Sequence, residues 1–292
     1  MRIIISPAKK MKENVTVQNR SERNRVDREN MTQECKNPIV EDDFHGFLHW
    51  NCEGTEQFQE NDALPRENLP MYLGETKKIM EWMQKLNPQE AQKLWRCNEK
   101  LAQENYDRFQ NMALENRLTP AILSYEGIQY QYMAPTVFET EMLGYIQENL
   151  RILSGFYGVL KPMDGVTPYR LEMQAQTTVD GKKGLYEFWG SKLYDGVVDD
   201  SHVILNLASK EYSKCLEPYL QPQDRFVTCV FGEEANGKVV QKGVYAKMAR
   251  GEMVRFMAEN QILELEDVKA FTGLGYRFCA ELSSETKYVF LK

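Results

Sequence analysis

The sequence predicts a mixed α/β domain of the α+β kind, and three observations carry that prediction. Short runs of branched apolar residues, Arg-Ile-Ile-Ile at 2–5 and Val203 to Leu207 among them, have the length and composition of buried strands. Other stretches, such as Met71 to Leu86 and Val244 to Asn260, space their apolar residues as helices do. The two kinds of segment mix without a regular βαβ repeat. At 292 residues, 42% apolar and 27% charged, the chain can bury a sizeable core. It reads as one domain over 1–292, interrupted by an insertion at about 13–67.

After the first strand, SPAKKM is a loop with a proline and two lysines. From about residue 13 to 67 periodicity disappears and Asn, Gln, Glu and Arg dominate, which predicts a flexible acidic insertion with local structure around Phe44 to Trp50. Met71 to Leu86 and Gln89 to Met112 follow as helices, broken by Asn87-Pro88, with Leu94, Leu101, Tyr106 and Phe109 as core positions. Ala121 to Tyr125 reads as a strand. Pro135 to Asn149 reads as a helix with Met142, Leu143 and Ile146 inward.

A strand at Arg151 to Leu153 runs into a glycine-containing segment. Leu185 to Val198 is helical at its centre, and Ser209 to Leu216 is a short helix that Ser209 can cap. Arg225 to Phe231 and Lys238 to Lys242 resemble a hairpin joined at Asn236-Gly237, a favoured turn pair. Gly275 to Ala280 and Lys287 to Leu291 read as a closing hairpin.

No apolar run approaches the roughly 20 residues of a membrane span. The stretch at MRIIISPAKK is too short for a secretory signal, so a cytoplasmic location is expected. Six cysteines without a CxxC pair read as reduced thiols. The net charge of -7 is concentrated: residues 41–67 hold eight acids and one base, and the remainder is neutral. A neutral body can still gather its bases on one face, so composition does not exclude an anionic partner.

Generic catalytic signatures are absent: no GxSxG, Walker loop, GxGxxG or HExxH. His202, at the start of a strand, reads as structural rather than as part of a Ser-His-Asp triad. Lys9 follows a strand end and a rigid turn, a place where ligands meet a sheet; it can contact phosphate, act as an amine nucleophile, or be a surface lysine. In the 152–173 segment, Gly155 and Gly158 flank Phe156-Tyr157. That pattern predicts a tight bend exposing backbone N–H groups beside Lys161, a plausible phosphate cradle. Asp164, Arg170 and Glu172 follow closely, as a polar site or as an ion-pair network. Lys247 and Arg250 share a helical face, opposite Tyr245, Ala249 and Phe256. Asn206 to Tyr212 joins a strand to a helix start. Cys35, His45, His49 and Cys52 are ligand types zinc accepts, but their spacing matches no standard knuckle, so no metal and no cofactor are expected.

Several blocks together resemble the YaaA (DUF328, UPF0246) peroxide-stress family. They are SPAKKM at 6–11, LSYEGIQY at 123–130, LRILSGFYGVLKPMDGVTPYRLEM at 150–173, LYEFW at 185–189, NLASKEYSK at 206–214, KMARGEM at 247–253 and GYRF at 275–278. The likeness covers residues 1–12 and roughly 68–292, while Arg20 to Glu67 stands where family members usually have a shorter connection. The resemblance implies a cytoplasmic protein that aids survival of hydrogen peroxide by limiting free iron and the DNA damage iron causes. It implies a single domain of unusual mixed fold, with a basic cleft and a helix-hairpin-helix-like element that binds duplex and branched DNA. No enzymatic reaction comes with it.

Two functional expectations follow. In the first, Lys9, Lys10, Lys161, Arg170, Lys247 and Arg250 line a cleft with Gly155 and Gly158 and hold DNA phosphates with little base readout. In the second, an enzyme acts on a nucleotide, nucleobase or damaged DNA, with Lys9, Glu126, Asp164 and Glu172 as catalytic candidates and Tyr125 and Arg170 beside them. A third, blander expectation makes the polar motifs serve fold stability alone.

Overall fold

In the computed structural model, which describes residues 1–12, 68–116, 118–235 and 238–292, Ile3, Ile4 and Ile5 are fully buried because β1 (Arg2–Ile5) runs through the middle of the main sheet. The expectations for 13–67, including Cys35, His45, His49 and Cys52, lie outside the described residues. The other strands of the sheet are β2 (Leu150–Ser154), β3 (Gly158–Leu160), β4 (Val203–Asn206), β5 (Arg225–Ala235), β6 (Lys238–Val240), β7 (Arg277–Phe278) and β8 (Lys287–Leu291). Their order is β7-β8-β5-β4-β1-β2-β3, with β6 added to β5. β1 is parallel to both β2 and β4, β4 to β5, and β5 to β8. The outer pairs β2–β3, β5–β6 and β7–β8 are antiparallel. The sheet is therefore mixed, with a parallel centre buried as parallel strands require.

Eleven helices accompany the sheet among the described residues. The first three are α1 (Leu73–Gln84), α2 (Pro88–Trp95) and α3 (Glu99–Gln110). The single helix expected over 89–112 is two, because Arg96 turns left-handed (φ 48°) and Asn98 caps the second by accepting from Leu101 N at 2.9 Å. Pro88 does open α2, within a capping box of Asn87 and Glu90. The break rephases the helix, so Phe109 is buried as expected but Trp95, Ala102 and Asn105 take the places given to Leu94, Leu101 and Tyr106.

The strand expected over 121–125 is the short helix α4 (Ala121–Ser124), followed by a two-residue strand, Tyr125–Glu126, paired with Lys10–Met11. An apolar run buried on all sides carries no period that separates helix from strand. Next come α5 (Ile128–Met133), a 3-10 turn at Pro135–Val137, and α6 (Thr140–Asn149), which buries Tyr145 and Ile146 but only half-buries Met142 and Leu143. Residues 185–198 form α7 (Leu185–Trp189) and α8 (Lys192–Asp195). α9 (Lys210–Ser213) is shorter than expected and takes no side-chain cap from Ser209. The long α10 (Gly243–Glu259) packs on α5, α6 and β5, and α11 (Leu265–Val268) follows. Both expected hairpins form; Ala235 pairs with Lys238, and the turn at 236–237 lies outside the described residues. No helix among the described residues is long and apolar enough to cross a membrane.

Candidate functional site

The connection leaving β1 leads to β2 on one side, whereas β4 hands on to β5 on the other. That makes the carboxyl ends of β1 and β4 a topological switch point, where the diverging loops of an α/β sheet open a crevice. A cleft of about 400 Å³ lies among these loops, lined by Ser6 to Lys10 after β1 and by Ser209, Glu211 and Tyr212 after β4. Ser6 ties the two loops together, its Oγ accepting from Ser209 N at 2.8 Å. The opposite wall comes from Glu126 to Tyr130 and Tyr169 to Glu172, with Lys247 and Arg250 from α10. Lys9, Lys10, Glu126, Arg170, Glu172, Lys247 and Arg250, selected from scattered segments of the sequence, thus share one cleft.

Close packing puts them there. A Cβ on Gly251 would sit 2.0 Å from the Gln129 carbonyl oxygen, so only glycine lets α10 lie this near α5, with Arg250 and Gln129 lining the same cleft. A Cβ on Gly155 would meet Leu171 O at 2.8 Å and Glu172 C at 3.1 Å. The absent side chain lets the Tyr169–Glu172 strip pass directly over the β2–β3 turn.

Five cations and three carboxylates line the cleft, and they are not equivalent. Lys9 Nζ lies 2.8 Å from Glu172 Oε1, and Arg170 Nη2 reaches the same oxygen at 3.5 Å. Lys10 and Lys12 grip Glu126 at 2.5 and 3.0 Å, and their hydrogen bonds hold that carboxyl below its usual pKa. Burial pushes the Glu211 carboxyl up, opposed by the amide of Gln174, which donates to it at 3.3 Å. Arg250 is half-buried and burial pulls its pKa down. Three buried nitrogens on the cleft walls, Arg170 Nε, Arg250 Nε and Gln129 Nε2, have no hydrogen-bond partner among the described residues.

Behind the cleft the 152–173 run forms a β-hairpin whose turn is buried. The bend was expected to expose its amides; instead Ser154 Oγ accepts from Phe156 N at 3.1 Å and Tyr157 N at 2.9 Å, so no N–H cradle faces outward at Gly155 and Gly158. With both acceptor sites filled, the Ser154 hydroxyl donates to Tyr169 Oη at 2.6 Å, and Tyr169 donates onward to Tyr125 Oη at 2.8 Å. Burial drives the pKa of both tyrosines well up, so they stay neutral hydrogen-bonding groups.

Lys161 and Asp164 do not join the cleft. They line a separate hollow with Asn68 and Arg151, where Asp164 Oδ2 accepts from Lys161 N at 2.8 Å and closes a turn. Burial lifts the Asp164 carboxyl to about 6. His202, at the opposite, amino end of β4, bonds Asp224 at 2.7 Å, far along the sheet from the cleft loops. Gln129, Tyr130, Glu211 and Tyr212 line the cleft but were not selected from sequence, although the runs around 123–130 and 206–214 contain them.

The family model described as Peroxide stress protein YaaA matches residues 1–282. The chain belongs to the YaaA family. A "UPF0246 protein" of Agathobacter rectalis is 56% identical over 231 residues, 79% of this chain and 93% of that protein. One from Limosilactobacillus reuteri is 52% identical over 232 residues, again 79% of this chain and 93% of the relative. One from Lachnoclostridium phytofermentans is 48% identical over 292 residues, covering 100% of this chain and 96% of its own. That last match runs through 13–67, so the long segment there has a counterpart in another YaaA-family protein. Of the blocks that carry the family likeness, five meet at the cleft: SPAKKM, LSYEGIQY, NLASKEYSK, KMARGEM and the 150–173 run. The 150–173 block contributes its last residues to the wall and its hairpin to the support behind.

Proposed function

We propose that this YaaA-family protein acts in the cytoplasm in the response to peroxide, binding DNA without sequence preference and protecting against iron-dependent oxidative damage. The observation that supports this reading is the gathering of Lys9, Lys10, Arg170, Lys247 and Arg250 around one cleft at the switch point. Lys9, Lys10 and Lys247 are exposed at its rim, where a phosphate backbone can reach them. Contacts of this kind position a duplex but do not read its sequence, and each phosphate neutralised releases counterions. Binding to unrelated duplexes is therefore expected to be equal and to weaken steeply between low and moderate salt in a mobility-shift titration. Lys247→Ala with Arg250→Ala is expected to weaken it further. Salt-independent binding, or binding that survives both substitutions, sinks the reading.

The paired carboxylates favour a second reading, an enzyme acting on a nucleotide, nucleobase or damaged DNA. Glu172 bridges Lys9 and Arg170, which places an acid within hydrogen-bond reach of an amine. Borohydride trapping of an imine between Lys9 and abasic DNA tests its lyase form, and repeated absence of the adduct from the native protein but not from a known lyase removes it.

A further inference from the structure

The cleft's polar groups divide into an exposed rim and a buried floor, and the floor has unmet hydrogen-bonding demand. Gln129 is only 7% exposed, and its amide nitrogen has no partner among the described residues. Arg250 Nε and Arg170 Nε, in the same cleft, are likewise buried and unpartnered. A buried donor left unmet forfeits its hydration without return, so leaving three in one cavity is costly unless an acceptor arrives. The three carboxylates of the cleft do not meet that demand. Glu126 is held by Lys10 and Lys12, Glu172 takes Lys9 and a guanidinium nitrogen of Arg170, and Glu211 accepts the Gln174 amide. Arg250 has no carboxylate partner among the described residues, and the charged form of its guanidinium is disfavoured by burial.

Three donors with at least one uncompensated cation call for a compact oxyanion with several acceptor atoms. A guanidinium fork matches phosphate in shape as well as charge. The size of the cavity narrows the ligand further. About 400 Å³ falls at the small end of the roughly 300–1,000 Å³ typical of small-molecule sites, and it does not admit a double helix. Tyr130, Tyr169 and Tyr212, which line the same space, add the apolar and aromatic surface such sites use.

We infer that Gln129, Arg250 and Arg170 form a subsite on the cleft floor for a single phosphate group carried by one nucleotide-sized body. This rests on the DNA-binding reading only for the choice of a nucleotide as that body. The phosphate chemistry is the same whether the nucleotide is free or belongs to a strand from which it has been turned out.

Calorimetric titration of the full chain with inorganic phosphate, then with a nucleoside 5′-monophosphate, tests the subsite. Saturable 1:1 binding of both is expected, tighter for the nucleotide. Gln129→Leu and Arg250→Gln are each expected to weaken it at least about tenfold. If Arg250→Gln does not fold, as judged by its melting curve, Gln129→Leu alone decides, since it removes one amide without removing charge. No phosphate or nucleotide binding by the native protein, or equal binding by the folded variants, overturns the proposal. Competition by a single-stranded oligonucleotide assigns the site to a nucleotide within a strand; retention of the mononucleotide in the presence of saturating strand assigns it to the free ligand. Absence of duplex binding at low salt with phosphate binding intact defeats the DNA reading and leaves the subsite standing.

Discussion

Asp164 and Gly251 each hold neighbouring segments of the chain in place. Asp164 holds a turn through the Lys161 amide, and burial raises its carboxyl from 3.8 to about 6. A raised carboxyl favours the folded state while protonated, so that contribution is full below pH 3.8 and is lost as pH rises through about 6. Asp164→Asn keeps an acceptor for Lys161 N and carries no charge. It is expected to melt higher than the native protein at neutral pH, by roughly 1–3 kcal/mol, and to match it near pH 4. Equal stability at both pH values defeats this account. Gly251→Ala forces its methyl onto the Gln129 carbonyl, and a loss of about 1–3 kcal/mol is expected in urea unfolding. Residue types were legible in the sequence, but partners were not. Lys9 and Glu172 lie 2.8 Å apart across 163 positions, and no local pattern records such a pairing.

The β2–β3 hairpin shows what is legible at the scale of an element. Two glycines around an aromatic pair do mark a turn, and the turn forms. Which way it faces is set by neighbours: Ser154 Oγ fills the amides of Phe156 and Tyr157, and Trp189 Nε1 donates to Gly155 O at 3.0 Å. Ser154→Ala strands two buried N–H groups and removes a partner of Tyr169. A loss of about 2–4 kcal/mol is expected by denaturant titration, with weakened ligand binding because the strip at 169–172 rests on this hairpin. Stability within experimental error of native, with the amides still protected from exchange, argues against it. The helix start at Pro88 was readable from the Asn87-Pro88 break, whereas the cap expected from Ser209 does not form; the helix at 121–124 was not readable, because every one of its residues is buried.

For the whole molecule, mixed α/β character was legible, but the parallel centre of the sheet was not, because β1 pairs with strands that begin at residues 150 and 203. Charge offers a prediction at this scale. Since residues 41–67 carry the whole net charge of -7, a variant lacking them is expected to bind duplex DNA more tightly at low salt and equally at high salt. Unchanged affinity at low salt counts against long-range repulsion. A cleft whose two lips come from residues 6–10 and 209–212 has a further consequence, in time rather than in space. The central strand is made before either of its sheet partners, which begin at residues 150 and 203. Sheet closure over such separations is slow, in the millisecond-to-second range for domains dominated by distant contacts. During synthesis three consecutive isoleucines therefore wait unpaired, which makes the nascent chain a customer for whatever shields apolar strands until Val203–Asn206 arrives.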